Sequence, residues 1–199
     1  ASINLADDAE LMHLMVEAGF DEVFIGIETP EESGLEECNK KQNTGRDLVE
    51  DVKRIQRAGL EVQGGFILGF DSDTPSTFQR QIDFIQRSGI VTAMVGLLQA
   101  INGTKLYNRL QEEGRLLSEA TGNNVDDTLN FVPRMDPNIL HRGYQKILAS
   151  IYAPRAYYQR VRTFLEEYRK TASIRVPVTW AYFKAFLRSV ALIGFGKDW

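Results

Sequence analysis

A helix–glycine–strand unit occurs three times in the first half of the chain, and it limits the fold more than any other feature. Helical patterns end in "EAGF", "RAGL" and "RSGI", in which the glycines are Gly19, Gly59 and Gly89. Glycine commonly ends a helix because it adopts a positive φ without a Cβ clash. An apolar, β-branched run follows each glycine, so the repeat predicts alternating helices and parallel strands.

The apolar runs predict strands at residues 23–27, 62–68 and 93–98. They are almost continuously apolar, which is typical of parallel strands that are buried on both faces. Three strands are too few to close an eight-stranded barrel. The pattern therefore predicts an α/β fold that is part of a barrel or part of an open sheet.

Start signals precede the helices of the repeat. They are Asp7-Asp8 before the first helix, Thr44 before the second and Thr74-Pro75 before the third. The first helix begins close to Ala1, which predicts that the chain is cut from a longer protein. Its partners would then include the missing N-terminal domains, and the uncovered edge of the strand at 23–27 predicts self-association as a homo-oligomer.

The second half of the chain predicts a helical extension. The polar, turn-rich segment "SEATGNNVDDTLNFVP" suggests a boundary between residues 1–116 and 117–199. A proline opens each of the three helices predicted beyond it, at about 137–152, 154–170 and 177–193.

The aromatic and basic residues of the second of these helices, in "YAPRAYYQRVRTFLEEY", could stack on nucleobases. The net charge of −4 favours the alternative that they form one packing face, and no nucleic-acid partner is expected. The last helix is apolar nearly all round apart from Lys184 and Arg188. Burial is the preferred interpretation, and contact with a membrane surface is the alternative.

The candidate functional residues follow the strands, because parallel α/β folds gather their loops at the carboxyl ends of strands. Glu28 has no Lys or Arg near it before Lys40, so a local salt bridge is not its evident purpose. Its carboxylate could bind ribose hydroxyls, act as a general base or cap the next helix. Asp71 and Asp73 could bind a hard cation, although a turn is the preferred interpretation.

Three motifs together resemble the radical S-adenosylmethionine enzymes. They are "FIGIET", the "GFILG" of residues 65–69 and "NGTKLYNRL" after the third strand. Their order and spacing are similar to the cobalamin-binding branch, which includes methylthiotransferase-like and hopanoid-methylase-like proteins. The resemblance covers residues 1 to about 116 and implies half of a partial TIM-type (βα) barrel. The remainder, 117–199, resembles the α-helical C-terminal extension of that branch.

The resemblance also implies which residues contact S-adenosylmethionine. Glu28 would lie at the ribose, and the glycine-rich strand and the third loop would line the adenine, with contacts from Gly65, Ile67, Gly69, Ile101 and Gly103. The adenine-side motif of the family ends in an acid three residues after its last glycine. That position is Ser72 here.

The family binds a 4Fe-4S cluster through three cysteines in CxxxCxxC, whereas this chain has only Cys38. We therefore expect this chain to be an inactive fragment of a cobalamin-dependent methyltransferase or oxidoreductase. On its own, the fragment is expected to bind none of S-adenosylmethionine, the cluster and cobalamin stably. No catalytic residue or metal ligand is predicted within it. The alternatives are a non-catalytic binding or interaction module and a half-barrel enzyme with Glu28 as base. One cysteine and no signal peptide predict a cytoplasmic protein.

Overall fold

The computed structural model describes residues 1–120, 128–168 and 179–194. Two short 3₁₀ helices cover Ile3–Asp7 and Lys41–Asn43. Within these described ranges, three strands and eight α-helices occur in the order α1 (Ala9–Glu17), β1 (Glu22–Glu28), α2 (Glu32–Glu37), α3 (Leu48–Arg57), β2 (Glu61–Leu68), α4 (Pro75–Ser88), β3 (Ala93–Leu97), α5 (Lys105–Glu112), α6 (Pro137–Ile151), α7 (Pro154–Glu167) and α8 (Trp180–Gly194).

The three strands form one parallel sheet in the order β1-β2-β3. In the register of this sheet Gly26 of β1 pairs with Gly65 of β2, and Gly65 pairs with Met94 of β3. The predicted α/β class with parallel strands is confirmed. The alternation of helices and strands is consistent with a fragment of a partial barrel. The first and last residues of each strand agree with the predicted ones to within one residue.

Local capping explains where the helices begin and end. Gly19, Gly59 and Gly89 have φ values of 95°, 102° and 71°, so the predicted glycine stops are confirmed. Thr74 forms the predicted cap of α4, and its hydroxyl and that of Thr77 bind each other's backbone N–H groups. The predicted Thr44 cap is wrong. Asp47 accepts the capping hydrogen bond of α3 from Glu50 N at 3.1 Å, whereas Thr44 donates to Lys41 O and closes a 3₁₀ turn.

The sheet is buried on one face and open on the other. Ile25, Val62 and Val95 of the buried face belong to the main hydrophobic core. On the opposite face Phe24 is 48% exposed and Met94 is 43% exposed. The prediction of burial on both faces is therefore wrong for the described residues. The strands looked continuously apolar in the sequence because glycines occupy several positions on the open face. A glycine contributes no side chain to that face.

The helix α6 packs against α4 and β3, and the helix α7 packs against α3 and α4. Four residues of α6 are buried in the main core: Leu140, Tyr144, Ile147 and Ile151. In α7, Phe164 is buried, and Tyr157 and Val161 are partly buried, as is Tyr168 directly after the helix. This supports the packing-face interpretation. The predicted division after residue 116 stays a prediction.

The helix α8 begins at Trp180 among the described residues. Pro177, which was predicted to open it, lies outside them. Within the described ranges no helix is both long enough and apolar enough to cross a membrane.

Candidate functional site

A cavity of about 320 Å³ lies on the open face of the sheet, towards the carboxyl ends of the strands. All three strands and the segment after β3 contribute to its lining, through Phe24, Gly26, Glu28, Gly65, Phe66, Ile67, Met94, Gly96, Leu97, Leu98, Gln99 and Ile101. Four of the six predicted site residues therefore meet in one cavity: Glu28, Gly65, Ile67 and Ile101. Gly69 and Gly103 are not among its lining residues.

Glycine backbone forms part of the cavity floor. A Cβ atom on Gly65 would lie 2.8 Å from Cζ of Phe24. A Cβ atom on Gly26 would overlap Oε1 of Glu28 and lie 3.1 Å from Nζ of Lys40. Side chains at these two neighbouring positions would fill the cavity, so their absence lets a ligand approach the backbone closely.

Glu28 lies at the irregular end of β1. Its φ is 67°, and the pairing register with β2 shifts between Gly26 and Glu28. The side chain of Asn43 holds this irregular end, because its Nδ2 donates to Gly26 O at 3.3 Å and to Ile27 O at 3.1 Å. A non-glycine residue at positive φ is strained, so the surrounding contacts must fix it. The result is a carboxylate that is directed to the cavity.

Lys40 forms an ion pair with this carboxylate. Its Nζ donates to Oε1 of Glu28 at 2.6 Å, and the two side chains are largely shielded from solvent. The sequence interpretation that a local salt bridge is not the purpose of Glu28 is therefore wrong, because α2 returns the chain to the end of β1 and brings Lys40 to the carboxylate. The capping alternative is also not seen. The helix α2 follows Glu31, whose backbone N–H is bound by Thr29 Oγ1 at 3.2 Å.

Asp73 shapes the loop after β2. Its Oδ2 accepts hydrogen bonds from Gly69 N at 2.7 Å and from Phe70 N at 3.1 Å. Burial of this carboxyl raises its pKa to about 6. Gly69 has a φ of 106°, so it supplies the turn of this loop and does not line the cavity. The turn interpretation is confirmed for Asp73.

Asp71 belongs to an ion-pair cluster that ties the loop to its neighbours. It accepts from Arg115 Nη2 and from Arg109 Nη1, both at 2.6 Å. The hydrogen bond from Arg115 lowers the pKa of Asp71 to about 2. Glu37 of α2 accepts from the backbone of Asp71 and from Ser72. Ser72, at the position of the family's acid, therefore anchors the loop to α2.

Asn130 fixes the loop after β3. Its side-chain amide forms two hydrogen bonds with the backbone of Ala100, one accepted by Oδ1 and one donated by Nδ2, each of 2.8 Å. Asn130 is buried, and the residue after Ala100 is the cavity-lining Ile101. Gly103 lies in the same loop with a φ of 81°. Asn43 and Asn130 were missed in the sequence because polar residues in turn-rich segments carry no specific signal.

Curated methyltransferases match most of the chain. An uncharacterized methyltransferase of Synechocystis sp. is 42% identical over 168 residues, which are 83% of this chain and 31% of the relative. The hopanoid C-2 methylase of Rhodopseudomonas palustris is 36% identical over 160 residues, 80% of this chain and 29% of the relative. The bacteriochlorophyllide d C-12(1)-methyltransferase of Chlorobaculum tepidum is 25% identical over 190 residues, which are 94% of this chain and 38% of the relative. The chain belongs to the radical S-adenosylmethionine proteins.

The chain spans about a third of the length of the radical S-adenosylmethionine relatives that it matches, and it covers a C-terminal part of them. Residues 104–198 also match a profile described as a domain of unknown function, DUF4070. This match begins at the cap of α5 and therefore includes part of the loop that contains Gly103.

Radical S-adenosylmethionine proteins hold an iron–sulfur cluster through cysteine thiolates. Cys38 is free and exposed. The described residues hold no group of three or more His, Cys, Asp or Glu side chains that could bind a metal ion. The residues present therefore do not fit an iron–sulfur cluster, which needs three thiolates in this family.

Proposed function

We propose that this chain forms the nucleoside side of the S-adenosylmethionine site in a cobalamin-dependent radical S-adenosylmethionine methyltransferase. The observation that carries the proposal is the single cavity shared by Glu28, Gly65, Ile67 and Ile101. Its volume of about 320 Å³ is near the lower end of the range for small-molecule sites. The methyltransferase names of the relatives give the reaction class.

The cavity fits a nucleoside chemically. The Glu28 carboxylate can accept hydrogen bonds from two ribose hydroxyls, and the glycine floor allows a flat base to lie against the backbone. Ile67 and Met94 supply apolar surface for that base. Lys40 orients the Glu28 carboxylate through its ion pair. When bound, the cofactor would supply the methyl group and the radical chemistry.

Other parts of the proposed full-length enzyme would hold the 4Fe-4S cluster and cobalamin. The alternative in which Glu28 is a general base is less well supported, because the Lys40 ammonium already occupies one of its carboxylate oxygens at 2.6 Å. A carboxylate held in this way is a positioned hydrogen-bond acceptor.

In the full-length protein, Glu28→Gln should weaken binding of S-adenosylmethionine by about tenfold or more, because hydrogen bonds to a charged acceptor contribute about 1.5–3 kcal/mol. Isothermal titration calorimetry measures the dissociation constant. Glu22→Gln is the matched control, since Glu22 lies at the other end of β1 and is exposed. Equal dissociation constants for the two variants would contradict the assignment of Glu28.

The 199-residue chain itself should form no stable cluster, because Cys38 supplies one of the three thiolates that are needed. Anaerobic reconstitution with iron and sulfide, followed by the visible spectrum and iron analysis, tests this. An assay for 5′-deoxyadenosine should likewise detect no reductive cleavage of S-adenosylmethionine. A stoichiometric cluster would show that the fragment interpretation is wrong.

A further inference from the structure

The helix α8 presents an apolar surface that no other described element covers. Every described side chain from residue 179 to 192 is exposed. The exposed side chains include four aromatic rings, and Trp180 and Phe183 stack on each other with their centroids 5.3 Å apart. The sequence interpretation was burial on the αβ units, on a second subunit or on an absent domain, and packing on the αβ units is not seen among the described residues.

The apolar and basic residues of α8 lie on different sides of the helix. At 100° per residue, one half carries Trp180, Tyr182, Phe183, Phe186, Leu187 and Val190. Lys184 and Arg188 are four residues apart and lie on the other half, and Trp180–Gly194 contains no acidic residue. An aromatic-rich apolar half opposite basic residues is typical of helices that lie in a membrane interface.

The charge of the C-terminal helices points to the same kind of partner. Residues 137–194 contain ten lysines and arginines and two acids, in a chain whose net charge is −4. Exposed basic residues on α6 and α7 include Arg142, Lys146, Arg155 and Arg162. One of the two acids, Glu167, is already paired with Lys53 and Arg57. This part of the protein therefore carries an excess of positive charge.

We propose that α8 lies in the surface of a lipid bilayer that contains anionic lipids, with its aromatic half among the acyl chains and its basic residues at the headgroups. The inference is independent of the cofactor site. A nucleic acid would be attracted by the same charges but would leave the aliphatic part of the apolar half, Leu187 and Val190, in water. A second copy would bring two basic parts together, which costs electrostatic free energy.

Vesicle flotation of the full chain tests the proposal, with phosphatidylcholine alone and with phosphatidylcholine mixed with phosphatidylglycerol. The chain should bind the anionic vesicles. Phe186→Gln should reduce the partition coefficient by about tenfold, because burying a phenylalanine contributes about 1.5–3 kcal/mol. Leu192→Gln is the matched control. Leu192 is 75% exposed but lies on the half that carries the basic residues, so its replacement should change binding less than about twofold.

Removing the charges of Lys184 and Arg188 by substitution with Gln should weaken binding to the anionic vesicles by about fivefold for each charge. Circular dichroism of each variant controls for folding. Failure to bind the anionic vesicles, or equal losses from Phe186→Gln and Leu192→Gln, would overturn the proposal. So would binding to an RNA oligonucleotide but not to vesicles. Light scattering that shows a dimer broken by Phe186→Gln, without vesicle binding, would assign α8 to a second copy instead.

Discussion

Replacing Arg160 by methionine is expected to lower the free energy of unfolding by about 3 kcal/mol. The substitution removes a fully buried guanidinium, and three acceptors lose the donor that it provides. Arg160 Nη1 donates to Gln86 Oε1 and to Ile151 O, both at 2.6 Å, and Nη2 donates to Val91 O at 3.1 Å. Its guanidinium also lies over the rings of Tyr152 and Tyr157. These contacts connect α7 to α4, to the end of α6 and to the segment before β3.

Urea denaturation followed by circular dichroism measures this difference. Arg162→Met is the matched control, since Arg162 is exposed on the same helix and its replacement should change the free energy of unfolding by less than about 0.5 kcal/mol. If the two substitutions have the same small effect, α7 does not contribute to the stability of the fold in the way that the Arg160 contacts indicate.

Gly143→Val should be the second strongly destabilising change, with a loss of about 2 kcal/mol or more. A Cβ atom on Gly143 would overlap the ring of Phe78, and Phe78 is itself buried in the main core. Overpacking of a core typically costs about 1–3 kcal/mol, which exceeds the small gain in helix propensity when valine replaces glycine. The glycine is therefore what allows α6 to lie close to α4.

Ala149→Val provides the control for this prediction, because Ala149 is exposed on α6 and receives the same β-branched side chain. It should cost less than about 1 kcal/mol. Adding Phe78→Leu to Gly143→Val should recover part of the loss, since it removes the ring that the new side chain meets. Additive effects in this double-mutant cycle would contradict the contact between the two positions.

These two substitutions also bear on the candidate site. The helix α6 contributes Leu140 to the main core, and Leu140 lies next to Gly69 in the loop that follows β2. Tyr152, directly after α6, donates its hydroxyl to Ala93 O at 2.8 Å at the start of β3. The C-terminal helices therefore support two of the three strands that carry the cavity.

The positions of the strands and most helix ends could be predicted because they depend on neighbouring residues. Gly19, Gly59 and Gly89 end helices by a local backbone preference, and the strand follows within a few residues. The Thr74-Pro75 cap is equally local. Thr44 misled because Asp47, three residues later, is an equally good cap and lies directly before the helix.

The candidate site was predicted in part for the same reason. Glu28 and Ile67 lie at the carboxyl ends of β1 and β2, and Gly65 lies two residues before Ile67. The carboxyl ends of parallel strands meet at one edge of a sheet. Gly69 was placed in the same group by its motif, yet its positive φ makes it a turn residue held by Asp73. A sequence pattern identifies the strand end but not which backbone atoms face the cavity.

Only the tertiary structure revealed the residues that hold the site in place. Lys40 reaches Glu28, Asn130 reaches Ala100, and Arg160 reaches Gln86, across separations of 12, 30 and 74 residues. The sequence by itself determined the repeat, the parallel strands and the edge at which a ligand site would form, because these follow from backbone preference and periodicity. The partners of buried charges and amides depend on how distant segments meet, and no local pattern records that.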